Sequence, residues 1–146
     1  MPGGRRKARE ILFRVLFETE SSGEEPLEAL EFAFSRYRLT EDGRDHAVRL
    51  LRLWRERKDQ IDTLVQERLS NWELSRLSGV VRAILRLGTA ELMGAADVPA
   101  RVVLDQAVEM AKKYGEEGAD GFVNGVLDPI AASLRPVEIR KKGSAR

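Results

Sequence analysis

His46 is the one histidine in the chain, and there is no cysteine. A site built from several nitrogen or sulfur ligands cannot be assembled, which removes zinc, disulfides and thiol catalysis together. His46 follows Asp45 and stands among charged residues near the start of a helix, a setting that reads as a solvated surface group rather than a catalyst. The acidic pairs Glu24-Glu25 and Glu116-Glu117 lie beside glycines in expected loops, where solvated carboxylates have no burial to tune them. No G-x-S-x-G elbow, no phosphate loop of the G-x-x-x-x-G-K-S/T kind and no G-x-G-x-x-G after a strand is present. No catalytic, cofactor-binding or metal-binding residue is assigned, and the chain is read as a binding protein rather than an enzyme.

The residues better suited to chemistry are cationic. Arg5, Arg6, Lys7 and Arg9 occupy the first nine positions without an acid, and residues 135–146 carry Arg135, Arg140, Lys141, Lys142 and Arg146 against Glu138 alone. The whole chain has 25 Lys and Arg against 24 Asp and Glu, a net charge of +1. Each end is therefore +4, and positions 10–134 keep 16 basic and 23 acidic residues, a body of −7. Such a body repels nucleic acid and steers a polyanion to the basic ends. On a helix, Arg5, Arg9, Phe13 and Phe17 share a flank, with Arg6 between them in angle. Arginine offers phosphate a bidentate fork, and unpaired bases stack on aromatic rings and guanidinium planes. Core packing is the competing reading for Phe13 and Phe17, and the favoured one.

The elements that must position these groups are helical. Ala8, Ile11, Leu12, Val15 and Leu16 form one amphipathic stripe, ending at Ser21-Ser22-Gly23. Pro26 suits the first turn of a second helix running to about Tyr37, and Thr40 suits the N-cap of a third. Beyond a charged junction near Lys58-Asp59, the stripe Ile61, Leu64, Val65 and Leu69 makes a separate helix or the far side of a kink. Ser70-Asn71-Trp72-Glu73 has capping-box spacing, with only a short turn expected after it. Val80 to Met93 is apolar on two faces and belongs at the centre of the fold, with Gly88 allowing a neighbouring helix close. Two more helices follow, one between Pro99 and Gly115 and one from about Asp120 with Pro129 inside it. No alternating strand pattern is found. The fold class is all-α, about seven helices, in a single domain over 1–146 with loose ends at 1–4 and 136–146. Glu10, Arg14 and Glu18 interrupt any apolar run after the first arginines, so no signal peptide is read. No stretch approaches the roughly 18 apolar residues of a membrane span. A cytoplasmic protein is expected.

The run from Asp97-Val98-Pro99 through Ala111-Lys112-Lys113-Tyr114-Gly115, and above all Phe122-Val123-Asn124-Gly125-Val126-Leu127-Asp128, resembles the NusB family of transcription antitermination factors. Trp72-x-Leu74-x-Arg76-Leu77, Leu85-Arg86-Leu87-Gly88 with Glu91-Leu92, and Arg5-Arg6-Lys7-Ala8-Arg9-Glu10 extend the resemblance over residues 5–134. It implies two perpendicular helical bundles. It further implies binding to the boxA segment of ribosomal RNA leaders, as a heterodimer with the small-subunit ribosomal protein NusE, in a complex with other Nus factors on RNA polymerase. The family's RNA-contact element maps onto Arg5, Arg6, Lys7 and Arg9, and Phe122 maps to a position near RNA, with an apolar helix-entry role as the competing reading. Asn124 and Gly125 are assigned chiefly to helix packing. Homodimers as well as monomers occur in the family. The alternative is the NusB-like domain of a ribosomal RNA cytosine methyltransferase, which a gene continuing past Arg146 would favour.

Overall fold

A computed structural model describes residues 2–138, and its contacts divide the chain into two compact units, Met1–Glu56 and Arg57–Arg146, where one domain was expected. The all-α expectation holds: the described residues contain seven α-helices and one 3-10 turn.

The first unit holds α1 (Arg5–Ser22), α2 (Pro26–Arg36) and α3 (Glu41–Glu56), each packed on the other two. The expected stripe of α1 is buried, and Gly23 ends the helix in the left-handed region. Pro26 opens α2 where its missing N–H costs nothing, and the Glu25 carboxylate accepts the Glu28 N–H as its cap. Thr40 caps α3 as its sequence suggests, with Oγ1 accepting the Gly43 N–H at 3.0 Å. A loose end was expected at 1–4, but Gly3 is fixed. Its N–H donates to the Arg38 carbonyl at 2.9 Å and its own carbonyl accepts the Thr40 N–H at 2.8 Å. His46 departs from the reading as a solvated group: at 2% exposure it is part of the core. The buried positions of α3 are Gly43, His46, Ala47, Leu50 and Leu51, one helical stripe that includes the histidine.

The second unit holds α4 (Lys58–Glu67), the 3-10 turn (Leu74–Arg76), α5 (Gly79–Gly94), α6 (Ala100–Tyr114) and α7 (Ala119–Leu134). The charged junction is thus a break between two helices. Within this unit α5 packs against α4, α6 and α7. Its fully buried Ile84, Leu85 and Leu92 each contribute about 1.5–3 kcal/mol of apolar burial. Gly88 has the reason its sequence context suggests: a Cβ there would lie 2.9 Å from Cδ1 of Leu127 on α7. The helix α7 runs unbroken through Pro129. Loose structure was expected from 136, yet Glu138 is bonded to Arg135 and to the start of α6. Residues 139–146, with Arg140, Lys141, Lys142 and Arg146, lie outside the described residues.

Candidate nucleic-acid interface

The basic start of α1 rests on the fixed Gly3 backbone, so its side chains leave from a defined base. They are not four equivalent cations. The Arg5 fork is bidentate on Asp42, Nε to Oδ2 at 2.9 Å and Nη2 to Oδ1 at 3.0 Å. That hydrogen bonding holds the Asp42 carboxyl below its ordinary value of 3.8. Arg6 is exposed. Lys7 Nζ lies 3.9 Å from Glu10 Oε1 and 5.5 Å from the centre of the Tyr37 ring. Arg9 is buried, at 6% exposure. A phosphate arriving from solvent therefore meets Arg6 first, Arg5 and Lys7 next, and Arg9 least.

The two phenylalanines of this flank divide in the same way. Phe13 is core, as favoured, whereas Phe17 is 42% exposed and stacks on Phe13 with ring centres 6.3 Å apart. At 100° per residue Arg6 and Phe17 project only about 20° apart and about 16 Å along the axis. One exposed cation and one exposed ring share a face of α1.

In the second unit, Phe122 stands half-buried on the first turn of α7, beside a hollow of about 420 Å³. Its other walls include Trp72, Arg76, Glu116 and Glu117. Trp72 is 58% exposed, an unusual placement for so large an apolar side chain. Gly118 brings the chain from the acidic loop into α7 with φ of 88°, a conformation that favours glycine. Two aromatic rings and a guanidinium around one opening are the groups on which unpaired bases stack, while the two carboxylates disfavour a phosphate there and can accept hydrogen bonds from base edges.

Of the residues around this hollow, the family resemblance points to Phe122, and the residues alone mark Glu116-Glu117 as a solvated pair and Trp72 as part of a capping-box spacing. A tryptophan between Asn71 and Glu73 in a turn is nevertheless a signal of exposure. Asn124 and Gly125 are corrected: both are exposed, and a Cβ on Gly125 would meet nothing within 4 Å, so helix packing does not account for them. Among the described residues no group of three or more His, Asp or Glu side chains could hold a metal ion. Among the described residues no helix is long and apolar enough to cross a membrane.

The NusB family model matches residues 6–132. The transcription antitermination protein NusB of Pseudothermotoga lettingae is 42% identical over 138 residues, covering 93% of this chain and 96% of the relative. That of Myxococcus xanthus is 37% identical over 136 residues, covering 90% and 97%. Among solved structures, T. maritima NusB superposes with a TM-score of 0.82 at 39% identity, over 90% of this chain and 92% of that one. A chain from the crystal structure of antitermination factors NusB and NusE in complex with dsRNA gives 0.80 at 32% identity, over 88% and 96%. With sequence and fold matched over nearly their whole length, this chain belongs to the NusB family.

Proposed function

We propose that this protein is a non-enzymatic, RNA-binding transcription antitermination factor. It binds the boxA segment of ribosomal RNA leaders together with the ribosomal protein NusE, and in the cytoplasm it joins other Nus factors on RNA polymerase. The observation that carries this reading is the arginine-rich start of α1, held on the Gly3 backbone in a chain whose net charge is otherwise acidic. The solved NusB that was crystallised with NusE and RNA has the same fold, which supports both partners.

In this reading Arg5, Arg6, Lys7 and Arg9 supply the electrostatic contribution, with Arg6 the most accessible, and Phe122 supplies a stacking face. Capture by so few cations is weak, so affinity and sequence preference are completed by the protein partner. Fluorescence anisotropy with labelled single-stranded boxA RNA and a scrambled strand, each with and without purified NusE, tests it. Tight binding is expected only for boxA with NusE present. Equal affinity for the two strands in the presence of NusE would remove the sequence-specific function.

A further inference from the structure

The segment that carries Trp72 and Arg76 has little regular structure of its own. Its backbone makes two turn bonds, from the Arg76 N–H to the Glu73 carbonyl and from the Leu77 N–H to the Leu74 carbonyl. Two side chains on the flanking helices add support. Gln66, near the end of α4, uses both ends of its amide: Nε2 donates to the Trp72 carbonyl and Oε1 accepts the Leu74 N–H, each at 2.9 Å. Arg82, on the first turns of α5, aims Nη1 at the carbonyls of Leu77 at 2.7 Å and of Leu74 and Ser75 at 3.3 Å. Leu74 is buried beneath the turn, while Trp72 and Arg76 project outward.

This arrangement answers a question the exposed indole raises. A large ring on a mobile loop would lose conformational freedom on gripping a base, whereas a ring on a fixed backbone loses little. An arginine turned onto three carbonyls of one turn is placed to organise backbone rather than to meet a phosphate. We propose that Gln66 and Arg82 are positioning residues: they lock the turn over 72–77 so that Trp72 and Arg76 stand ready, opposite Phe122, to receive one unstacked nucleobase of single-stranded RNA. The proposal rests on reading the hollow as part of the RNA site.

The test measures binding of boxA RNA in the presence of NusE, across a salt series and well below each variant's melting temperature. Gln66→Ala frees both anchors on that side. If the ordered turn falls to about a tenth of the population, apparent affinity falls about tenfold. Arg82→Lys keeps the charge but loses the fork, and is expected to weaken binding to a similar extent with an unchanged slope of log affinity against log salt. Gln66→Glu keeps the acceptor for Leu74 and loses the donor to Trp72, so it should fall between wild type and alanine; it also serves if the alanine variant does not fold. Protein labelled with 5-fluorotryptophan gives a readout without RNA: the chain has two tryptophans. The Trp72 resonance should shift or broaden in the Gln66 variants while that of Trp54 stays in place.

Wild-type affinity in Arg82→Lys, or a flatter salt slope, would show that Arg82 acts as a charge and overturn its role. Unchanged affinity together with an unmoved Trp72 resonance in Gln66→Ala would overturn the role of Gln66. Trp72→Ala separates the premise from the proposal. If that variant binds RNA as well as wild type, the hollow is not an RNA site and the proposal goes with it. If it binds poorly while the Gln66 and Arg82 variants bind normally, the site stands and only the positioning role fails.

Discussion

Arginine serves opposite purposes in the two units. At the start of α1 its charge is directed outward: Arg6 is exposed, and the Arg5 fork is held by an exposed carboxylate that a competing phosphate could replace. In the second unit Arg82 and Arg135 face inward. Arg135 donates to the carbonyls of Leu92, Ala95 and Val98 at 2.9–3.0 Å, more weakly to that of Glu91 at 3.4 Å, and to Glu138 at 2.7 Å. The first arrangement leaves a positive field for a ligand. The second uses the same guanidinium to tie together carbonyls from the last turn of α5 and the loop that follows it. A count of basic residues cannot tell these apart, so the +4 assigned to the C-terminal end includes a charge that works as an internal clasp.

The sharpest contrast is expected from Arg135→Ala. It removes a side chain that is only 10% exposed and the donors it gives to the carbonyls of Leu92 and Val98, while those of Glu91 and Ala95 keep the N–H bonds from Ala95 and Val98. The cost is about 3 kcal/mol, or roughly 10 °C of melting temperature. The salt slope of RNA binding should not change. A flatter slope at preserved stability would place Arg135 with the outward cations. Next in size is Trp72→Ala, which removes one stacking face worth about 1–3 kcal/mol of RNA affinity. Because no cation is lost, the affinity deficit should be the same at every salt concentration. A deficit that disappears at high salt would mean that the hollow contributes field rather than stacking.

The helices were legible because burial imposes period on sequence. The α1 stripe, the Thr40 cap and the close approach of a helix at Gly88 follow from spacing and from one residue's missing side chain, whereas spacing leaves the Lys58 junction open between a break and a kink. His46 was legible too, since it falls on the same stripe as Ala47 and Leu50, but its residue type suggested solvent. The basic start was visible as composition. Its internal ranking was not, because the Arg5–Asp42 pair joins residues 37 apart and the burial of Arg9 depends on packing. The hollow was the least legible part. The bonds from Gln66 to Trp72 and Leu74 are side chain to backbone, have no periodicity, and are what turns an irregular stretch into a fixed one.

Arg6→Ala tests the outward half of the contrast directly. Losing one phosphate contact to a single strand should flatten the salt slope by about 0.7, with affinity falling a few-fold near physiological salt. Helical content and melting temperature should be unchanged, since surface substitutions of this kind stay within about 0.5 kcal/mol. An unchanged slope would move RNA contact away from the first turn of α1, whatever the charge arithmetic says.

The smallest effect should come from Asp42→Asn, and its sign is the informative part. The substitution deletes a negative charge beside the cations of the first turn of α1 and releases the Arg5 fork. If Arg5 is an outward cation restrained by its partner, affinity rises by about twofold at low salt, and the gain fades as screening shortens the range of the field. A fall in affinity would instead mean that Asp42 orients Arg5 for RNA, as Gln66 and Arg82 are proposed to orient the turn. The pH dependence gives an independent check. The Asp42 carboxyl is held below 3.8, first by its hydrogen bonds from Arg5, so the pair's contribution is fully present above that value and is lost as pH falls through the depressed one. Melting temperatures of wild type and Asp42→Asn should therefore stay a constant distance apart from about pH 5 to pH 8 and converge only in stronger acid. The absence of any gap across this range would show that the carboxylate is not held by Arg5.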